Sequence, residues 1–322
     1  MGTFDFDHYV LRAAGKLGIP RAVIVLSWDN TTTRGYPGAT ADHVIAWSDI
    51  MKWELAELND VPEETITVEG VAHFDHYFRP DPDYDRAEFL ESLGLDPEKR
   101  TILIATKSPN CYAQNPNIAQ LIAQAIEDRR LPEDCQVLVR VHPLHYRYRN
   151  GRFLYEDVLT VYRRLADEHP SIRLNEPVIT SQSVNYDMAD QEILFLSRLL
   201  KSTDVLVNFF STMNIEAAIF DVPMVNINFD DLPPLYPCER GHRYDIRIDY
   251  ESDHNQRIVA SGGTRIADNP AEMIEQIRTY LADPGLDAEG RHKIVDREVG
   301  PNRGQAAAAI GRRILEIAGA SM

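Results

Sequence analysis

The stretch "VLVNFFSTMNIEAAIFDVPMVNI", residues 205–227, reads as strand, turn, helix and strand. The first apolar run stops at Ser211 and Thr212, and a second starts at Pro223. A helix that begins at a hydroxyl pair after a strand offers unpaired backbone N–H groups, which suit a phosphate or diphosphate. The same pair also reads as an ordinary N-cap by Ser211. Glu216 stands five residues after Ser211 and four after Thr212, so it is not the reciprocal acid of a capping box. It falls on the face of Thr212, one turn on, with Asn214 between them. Its neighbours Ile215, Ala217, Ala218, Ile219 and Phe220 predict burial, and a buried carboxylate needs partners. The vicinal hydroxyls of a ribose would satisfy both of its oxygens.

The same rhythm extends outward from this stretch. "TILIATK" (101–107), "QVLVRVHP" (136–143), "SIRLNEP" (171–177), "DVLVNFF" (204–210) and "PMVNINF" (223–229) read as strands. Helical stretches fall near 116–130, 154–168, 189–201 and 211–220, with a short strand at 264–268 and a helix at 270–282. Alternating strands and helices predict an α/β fold with a parallel sheet. The first part of the chain carries a helix around Tyr9–Leu17 and then "AVIVLSWDN" (22–30), an apolar run expected as a strand buried on both faces. "HVIAWS" (43–48) reads as a second short strand and "ITVEGVAHFDHYF" (66–78) as a third strand with an exit loop, with a helix over "DIMKWELAEL" (49–58).

The expected layout is therefore two Rossmann-like domains of unequal size. Residues 1–80 form a partial N-terminal domain, and 81–94, opening on the Pro- and Asp-rich "DPDYD", form a linker. Residues 95–290 form a doubly wound domain, and 291–322 a C-terminal helical segment. About twenty residues precede the first strand, so the N-terminal sheet reads as incomplete.

With 322 residues, 44% hydrophobic and 26% charged, the chain has the composition of a globular protein. Its net charge of -17 argues against nucleic acid or an anionic membrane surface as a general partner. Three scattered cysteines give neither a disulfide framework nor a zinc signature and point to a reducing compartment. No apolar run is long enough to span a bilayer.

Ligands of open α/β sheets bind beyond the carboxyl ends of the strands. The residues there are Lys107 and Ser108, then His142, then the turn Pro177-Val178, then Ser211 and Thr212, with Arg240, His242 and Arg243 after the next strand. Basic groups and hydroxyls thus converge on one edge of the predicted sheet. "HPLH" (142–145) supplies no third ligand for a metal.

With these motifs in order, the chain resembles GT-B fold glycosyltransferases and their CDP-glycerol glycerophosphotransferase relatives. "STMNIEAAIFDVPMVNI" (211–227) is similar to their donor-binding helix, and "VLVRVHP" (137–143) to a strand ending in His-Pro. "VIVLSWDNTTTRGY", "ADHVIAWSDIMKWEL" and "VEGVAHFDHYF" resemble, in order, the late part of their N-terminal domain. "GGTRIADNPAEMIEQIRTYLADP" (262–284) resembles the segment before their C-terminal helix.

The resemblance implies two domains facing across a cleft, a nucleotide-linked donor on the C-terminal one and an acceptor on the N-terminal one. It implies no metal and no cofactor, the donor being a UDP- or CDP-linked substrate and the acceptor a glycan or a lipid-linked acceptor. Ser211, Thr212 and His142 would meet the diphosphate, Glu216 the ribose, and the turn at Pro177 and Val178 the base. Lys107 or Arg240 would offset leaving-group charge. Asp29 falls where the relatives carry a catalytic histidine, with Ser27, Trp28 and Asn30 beside it, and a carboxylate can serve there as general base. Asp29 and Asn30 also read simply as turn formers, and His73 with His76 as a second acceptor-side candidate.

The implied activity is nucleotide-sugar-dependent glycosyl transfer in surface-glycan synthesis, in the cytoplasm or at the inner membrane face. Polyol-phosphate transfer, UDP-sugar 2-epimerisation and a non-catalytic nucleotide-sugar-binding subunit are the alternatives. A homodimer, or a partner completing the short domain, is the expected assembly.

Overall fold

A computed structural model describes residues 7–33, 39–181, 187–188, 191–237 and 245–319. The chain divides into two compact units. Unit 1 comprises Met1–Pro80, Ser252–Arg257 and Lys293–Met322, and unit 2 comprises Asp81–Glu251 and Ile258–His292.

Unit 1 opens with α1 (Asp7–Lys16), β1 (Ala22–Ile24), α2 (Asn30–Thr33), β2 (His43–Ala46), α3 (Asp49–Asn59) and β3 (Ile66–Val68). The three strands form a parallel sheet in the order β1-β2-β3. The central strand is the apolar one: Val44, Ile45 and Ala46 are buried. The run beginning at Ala22 departs from its expectation of burial on both faces. Only three of its residues are strand, and β1 is an edge whose Ala22 and Ile24 are exposed. A parallel strand is buried on both faces only where neighbours cover it, and among the described residues β1 pairs with β2 alone.

The exit loop expected after β3 coils into a 3-10 helix, Ala72–Phe78. Its Asp75, 2% exposed, accepts the N–H groups of Ala306 (2.8 Å) and Ala307 (2.9 Å). One carboxylate thus caps the C-terminal helix Ala306–Ile317 by satisfying two of its orphan donors. Gly300, at φ 75°, lets the returning chain pass so close that a Cβ would lie 1.9 Å from the Trp47 carbonyl oxygen. The segment expected as a separate C-terminal piece is therefore integral to unit 1. The second segment of unit 1 supplies Arg257. Its guanidinium donates to Glu54 and, through two bonds of 3.1 Å, to Glu298. Glu54 also accepts from Thr31 Oγ1 at 2.6 Å. One cation and two carboxylates, nearly all out of water, tie residues 31, 54, 257 and 298 together.

Unit 2 starts with residues that sequence alone reads as a linker. Asp81 takes a bidentate pair from Arg198 at 2.8 and 2.9 Å, and Asp85 caps α4 (Arg86–Ser92). Then follow β4 (Arg100–Ala105), α5 (Asn115–Glu127), β5 (Cys135–Arg140), α6 (Glu156–Glu168), β6 (Ile172–Asn175), α7 (Gln191–Lys201), β7 (Val205–Asn208), α8 (Met213–Ile219) and β8 (Met224–Ile227). The helices α9 (Arg247–Glu251) and α10 (Asp253–Ala260) precede β9 (Arg265–Ala267), and α11 (Pro270–Ala282) follows it.

Six strands of unit 2 form a parallel sheet, in the order β9-β8-β7-β4-β5-β6. Strand side chains alternate between faces. Ile102, Ile104, Val137, Val139, Val205, Val207, Val225 and Ile227 belong to one core with α5, α6 and α11. Leu103, Leu138, Leu206 and Met224 alternate with them and are equally buried. Continuous apolar runs are the outcome of a sheet covered on both faces.

Candidate functional site

The carboxyl ends of β4, β5 and β7, neighbours in the sheet of unit 2, bring the basic candidates together. Lys107 leaves β4 with its backbone held by Asn115, whose Oδ1 accepts its N–H at 2.8 Å and whose Nδ2 donates to its carbonyl at 3.0 Å. The Lys107 ammonium donates to the Phe209 carbonyl at 3.1 Å and lies 2.6 Å from Asp249 Oδ2 on α9. Both side chains of that ion pair are mostly withdrawn from water, at 12% and 18% exposure. Ser108 follows, partly buried, its carbonyl accepting the N–H groups of Cys111 and Tyr112.

His142 leaves β5 with its N–H on Thr106 Oγ1 (2.8 Å) and its ring Nδ1 accepting from the Leu144 N–H (3.1 Å). Burial, then the nearby cations Lys107 and Arg140, push its pKa down to about 4. At neutral pH the ring is uncharged, and with Nδ1 an acceptor its proton sits on Nε2. His142 is thus a neutral hydrogen-bond donor rather than a cation. His145 belongs to the core: it is fully buried, edge-on to Tyr155 and Tyr162, with Nδ1 3.0 Å from the His142 carbonyl. Among the described residues no group of three or more His, Cys, Asp or Glu is placed to hold a metal ion.

The turn after β7 is strained. Phe210 has φ 53°, a left-handed conformation that bulky residues rarely adopt. Its N–H donates to Asn226 Oδ1 at 2.8 Å. Asn226 Nδ2 in turn donates to Asn214 Oδ1 (2.9 Å) and Thr264 Oγ1 (2.8 Å). Asn208 Nδ2 reaches the same Asn214 Oδ1 at 3.0 Å. Asn208 and Asn226 are register partners on β7 and β8, so both amides face the first turn of α8. All three asparagines are buried. This network is invisible to a search for charged or nucleophilic residues. Its trace in the sequence is an asparagine inside each of two otherwise apolar strands.

Ser211 is committed to the network. Its hydroxyl donates to Asn208 Oδ1 (2.8 Å) and accepts from the Met213 N–H (3.3 Å). The cap position itself falls to Thr212, whose side chain makes no capping bond, rather than to Ser211 as expected. The backbone N–H groups of Ser211 and Thr212 meet no acceptor among the described residues. Asn214 is a structural centre of the network, and Glu216 is buried on α8 at 9% exposure.

Pro177 is buried and Val178 exposed after β6, and the Val178 N–H donates to Glu192 Oε1 at 3.2 Å. Glu192 is paired with Arg140, which also donates to Asn175 Oδ1. An internal ion pair thus holds the turn expected at the base. Arg240, with His242 and Arg243, lies outside the described residues.

In unit 1 the acceptor-side candidates share one loop. The Asp29 carboxylate accepts from the hydroxyls of Ser27 and Thr33, and its carbonyl accepts the N–H of Thr32 and Thr33. Asn30 Oδ1 accepts the Ser27 N–H at 3.2 Å. The turn-forming reading of Asp29 and Asn30 is thus realised, while two of the roughly four lone-pair sites of the carboxylate remain for other work. Trp28 is buried edge-on against His254, 4.7 Å between centroids, and His254 Nδ1 lies 2.9 Å from Thr32 Oγ1. Sequence reasoning passed over His254, which is far from the loop in the chain. His73 stands apart on the 3-10 helix, exposed and edge-on to Trp47.

No family model and no curated protein matches the chain. Among solved structures it is similar to the S. aureus MnaA–UDP co-structure, with a TM-score of 0.61 and 15% identity over 96% of this chain and 72% of that one. It is similar to the UDP-GlcNAc 2-epimerase from Neisseria meningitidis bound to UDP-GlcNAc, with a TM-score of 0.60 and 14% identity over 95% and 72%. It is also similar to the wall teichoic acid polymerase TagF, with a TM-score of 0.54 and 16% identity over 87% and 57%. These are enzymes of the GT-B fold, and the chain has that type of α/β fold, as its motifs imply. At such identities the likeness is one of fold. No helix among the described residues is long and apolar enough to cross a membrane.

Proposed function

We propose that this chain is a nucleotide-sugar-dependent glycosyltransferase whose unit 2 binds the nucleoside diphosphate of the donor without a metal ion. The observation that carries the reading is the convergence, on one sheet edge, of the Lys107 ammonium, a neutral His142 and the strained turn at Phe210–Thr212. A diphosphate there would meet one cation, the Nε2–H of His142 and the N–H groups of Ser211 and Thr212. Glu216 would take the ribose hydroxyls. The fold supports the reading, since similar structures hold UDP or UDP-GlcNAc.

Asp29 would take the proton from the acceptor hydroxyl, oriented by Ser27 and Thr33. Lys107 would stabilise the departing nucleoside diphosphate. The epimerase reading is the second one, favoured by the similarity to a 2-epimerase bound to UDP-GlcNAc.

The test is a thermal-shift titration with UDP, CDP, GDP and TDP, with and without EDTA. A ligand of the native state raises the melting temperature with concentration. One nucleotide should stabilise the protein equally with and without EDTA. No shift with any of them removes the donor site. Incubation with the matching nucleotide sugar then separates the two readings. A transferase frees the nucleotide when an acceptor is added, and an epimerase changes the sugar with none present.

A further inference from the structure

We propose that Asp249 sets the affinity of the candidate diphosphate site, by competing with the ligand for the Lys107 ammonium. This rests on the reading of unit 2 as a nucleoside diphosphate site. Asp249 is carried by α9, a short helix with no buried residue of its own. That helix meets the candidate edge twice, once at the residue after β4 and once at the β7 turn. Asp249 Oδ2 is 2.6 Å from Lys107 Nζ, and the Tyr250 ring stands edge-on to Phe210 at 5.7 Å.

The same ammonium donates to the Phe209 carbonyl, two residues before Ser211. That bond aims Lys107 at the turn without help from Asp249. Asp249 therefore contributes charge more than placement. A carboxylate on the candidate cation is the nearest internal equivalent of a phosphate oxygen, and at this low exposure the attraction is little screened. An incoming diphosphate must displace Asp249 or bind against its negative charge. The other charged residue of α9 near the edge, Arg247, is committed to Asp245 (2.7 Å) and Asp230 (3.4 Å). The neighbouring His142 is uncharged and offers no second cation.

Calorimetric titration with UDP and with inorganic pyrophosphate tests this on the full chain. Asp249→Asn should bind both about fivefold more tightly than wild type, the scale of coupling between charges in contact. Asp249→Glu, which keeps the charge, should bind like wild type. In a Lys107→Met background the Asp249→Asn substitution should change nothing. Should Asp249→Asn fail to fold, Asp249→Ser serves the same purpose. Equal or weaker binding by the neutral variants overturns the proposal and makes Asp249 a positioning residue for Lys107. If neither wild type nor Asp249→Asn binds either ligand, the site itself is misassigned, and the proposal falls with it.

Discussion

Asn226 Oδ1 receives the Phe210 N–H at 2.8 Å, and this bond holds a bulky residue at φ 53°. The left-handed conformation costs a non-glycine residue roughly 1–3 kcal/mol and persists only where the surroundings impose it. Here the imposing group is an amide from the neighbouring strand, itself fastened to Asn214 and Thr264. The turn bearing Ser211 and Thr212 is fixed by strands β7 and β8 together.

Replacing Asn226 by Leu keeps the volume and removes the acceptor. The Phe210 N–H is then buried without a partner, which costs about 1–3 kcal/mol. Urea unfolding should show that loss, with weaker binding of whichever nucleotide stabilises the wild type. A stability change below about 0.5 kcal/mol, the usual range for inert positions, would mean that the turn holds itself.

Asp29→Asn separates the two readings of that residue. An amide can keep the turn, since its oxygen still accepts from Ser27 and the Thr33 hydroxyl keeps its bond to the backbone carbonyl of residue 29. It cannot take a proton. Turnover should fall by about 10²–10⁴, the usual contribution of a general base, while the melting temperature and nucleotide affinity hold. Unchanged turnover would leave Asp29 as a turn former alone.

Stability should fall on the acid side for a traceable reason. Burial holds His142 at about 4 and His145 at about 3, against an ordinary value of 6.5. A histidine with a depressed pKa stabilises the fold fully above its unfolded pKa and loses that contribution as pH falls towards the folded one. Unfolding free energy should therefore decline between about pH 6.5 and 4, and His145→Phe should flatten that decline. An equally steep slope in the variant would assign the loss to other groups.

Arg257→Met strands two carboxylates. Glu54 is already driven upward in pKa, by burial above all, and Arg257 is what opposes that shift most. Breaking a buried ion pair from one side costs about 3–5 kcal/mol. Hydrogen exchange should speed up in α3 and in the strands of unit 1. Adding Glu54→Gln and Glu298→Gln should recover part of the loss, because the uncompensated charge is gone. If exchange in unit 1 is unaltered, the triad is not what binds its segments.

Much of the fold is legible in short apolar runs. The six strands of the parallel sheet in unit 2 sit within a few residues of "TILIATK", "QVLVRVHP", "SIRLNEP", "DVLVNFF", "PMVNINF" and "TRIAD", because a sheet buried on both faces writes itself as continuous hydrophobicity. β1 misleads for the same reason: "AVIVL" is as apolar as any of them yet lies at an edge, and nothing local encodes which neighbours a strand will find. Position after a strand was enough to select Lys107, His142 and the Ser211-Thr212 pair. The sequence could not show that the Ser211 hydroxyl is spent on Asn208, that Asp249 sits on Lys107, or that Glu192 holds Val178. Each is a contact across a long stretch of chain, and polar residues carry no periodicity that would announce it.

Unit 1 is assembled from three separate lengths of polypeptide, the last of them beginning at Lys293. On the ribosome, residues up to Pro80 emerge before the helix Ala306–Ile317 capped by Asp75 and before the Glu298 that meets Arg257, so unit 1 can close only after all of unit 2 has been made. Unit 2 is whole once His292 is out. Unit 2 can therefore complete its contacts before unit 1 does, although unit 1 starts earlier in the chain. A premature stop shortly after codon 292 would leave unit 2 intact and deprive the amino-terminal unit of its closing segment.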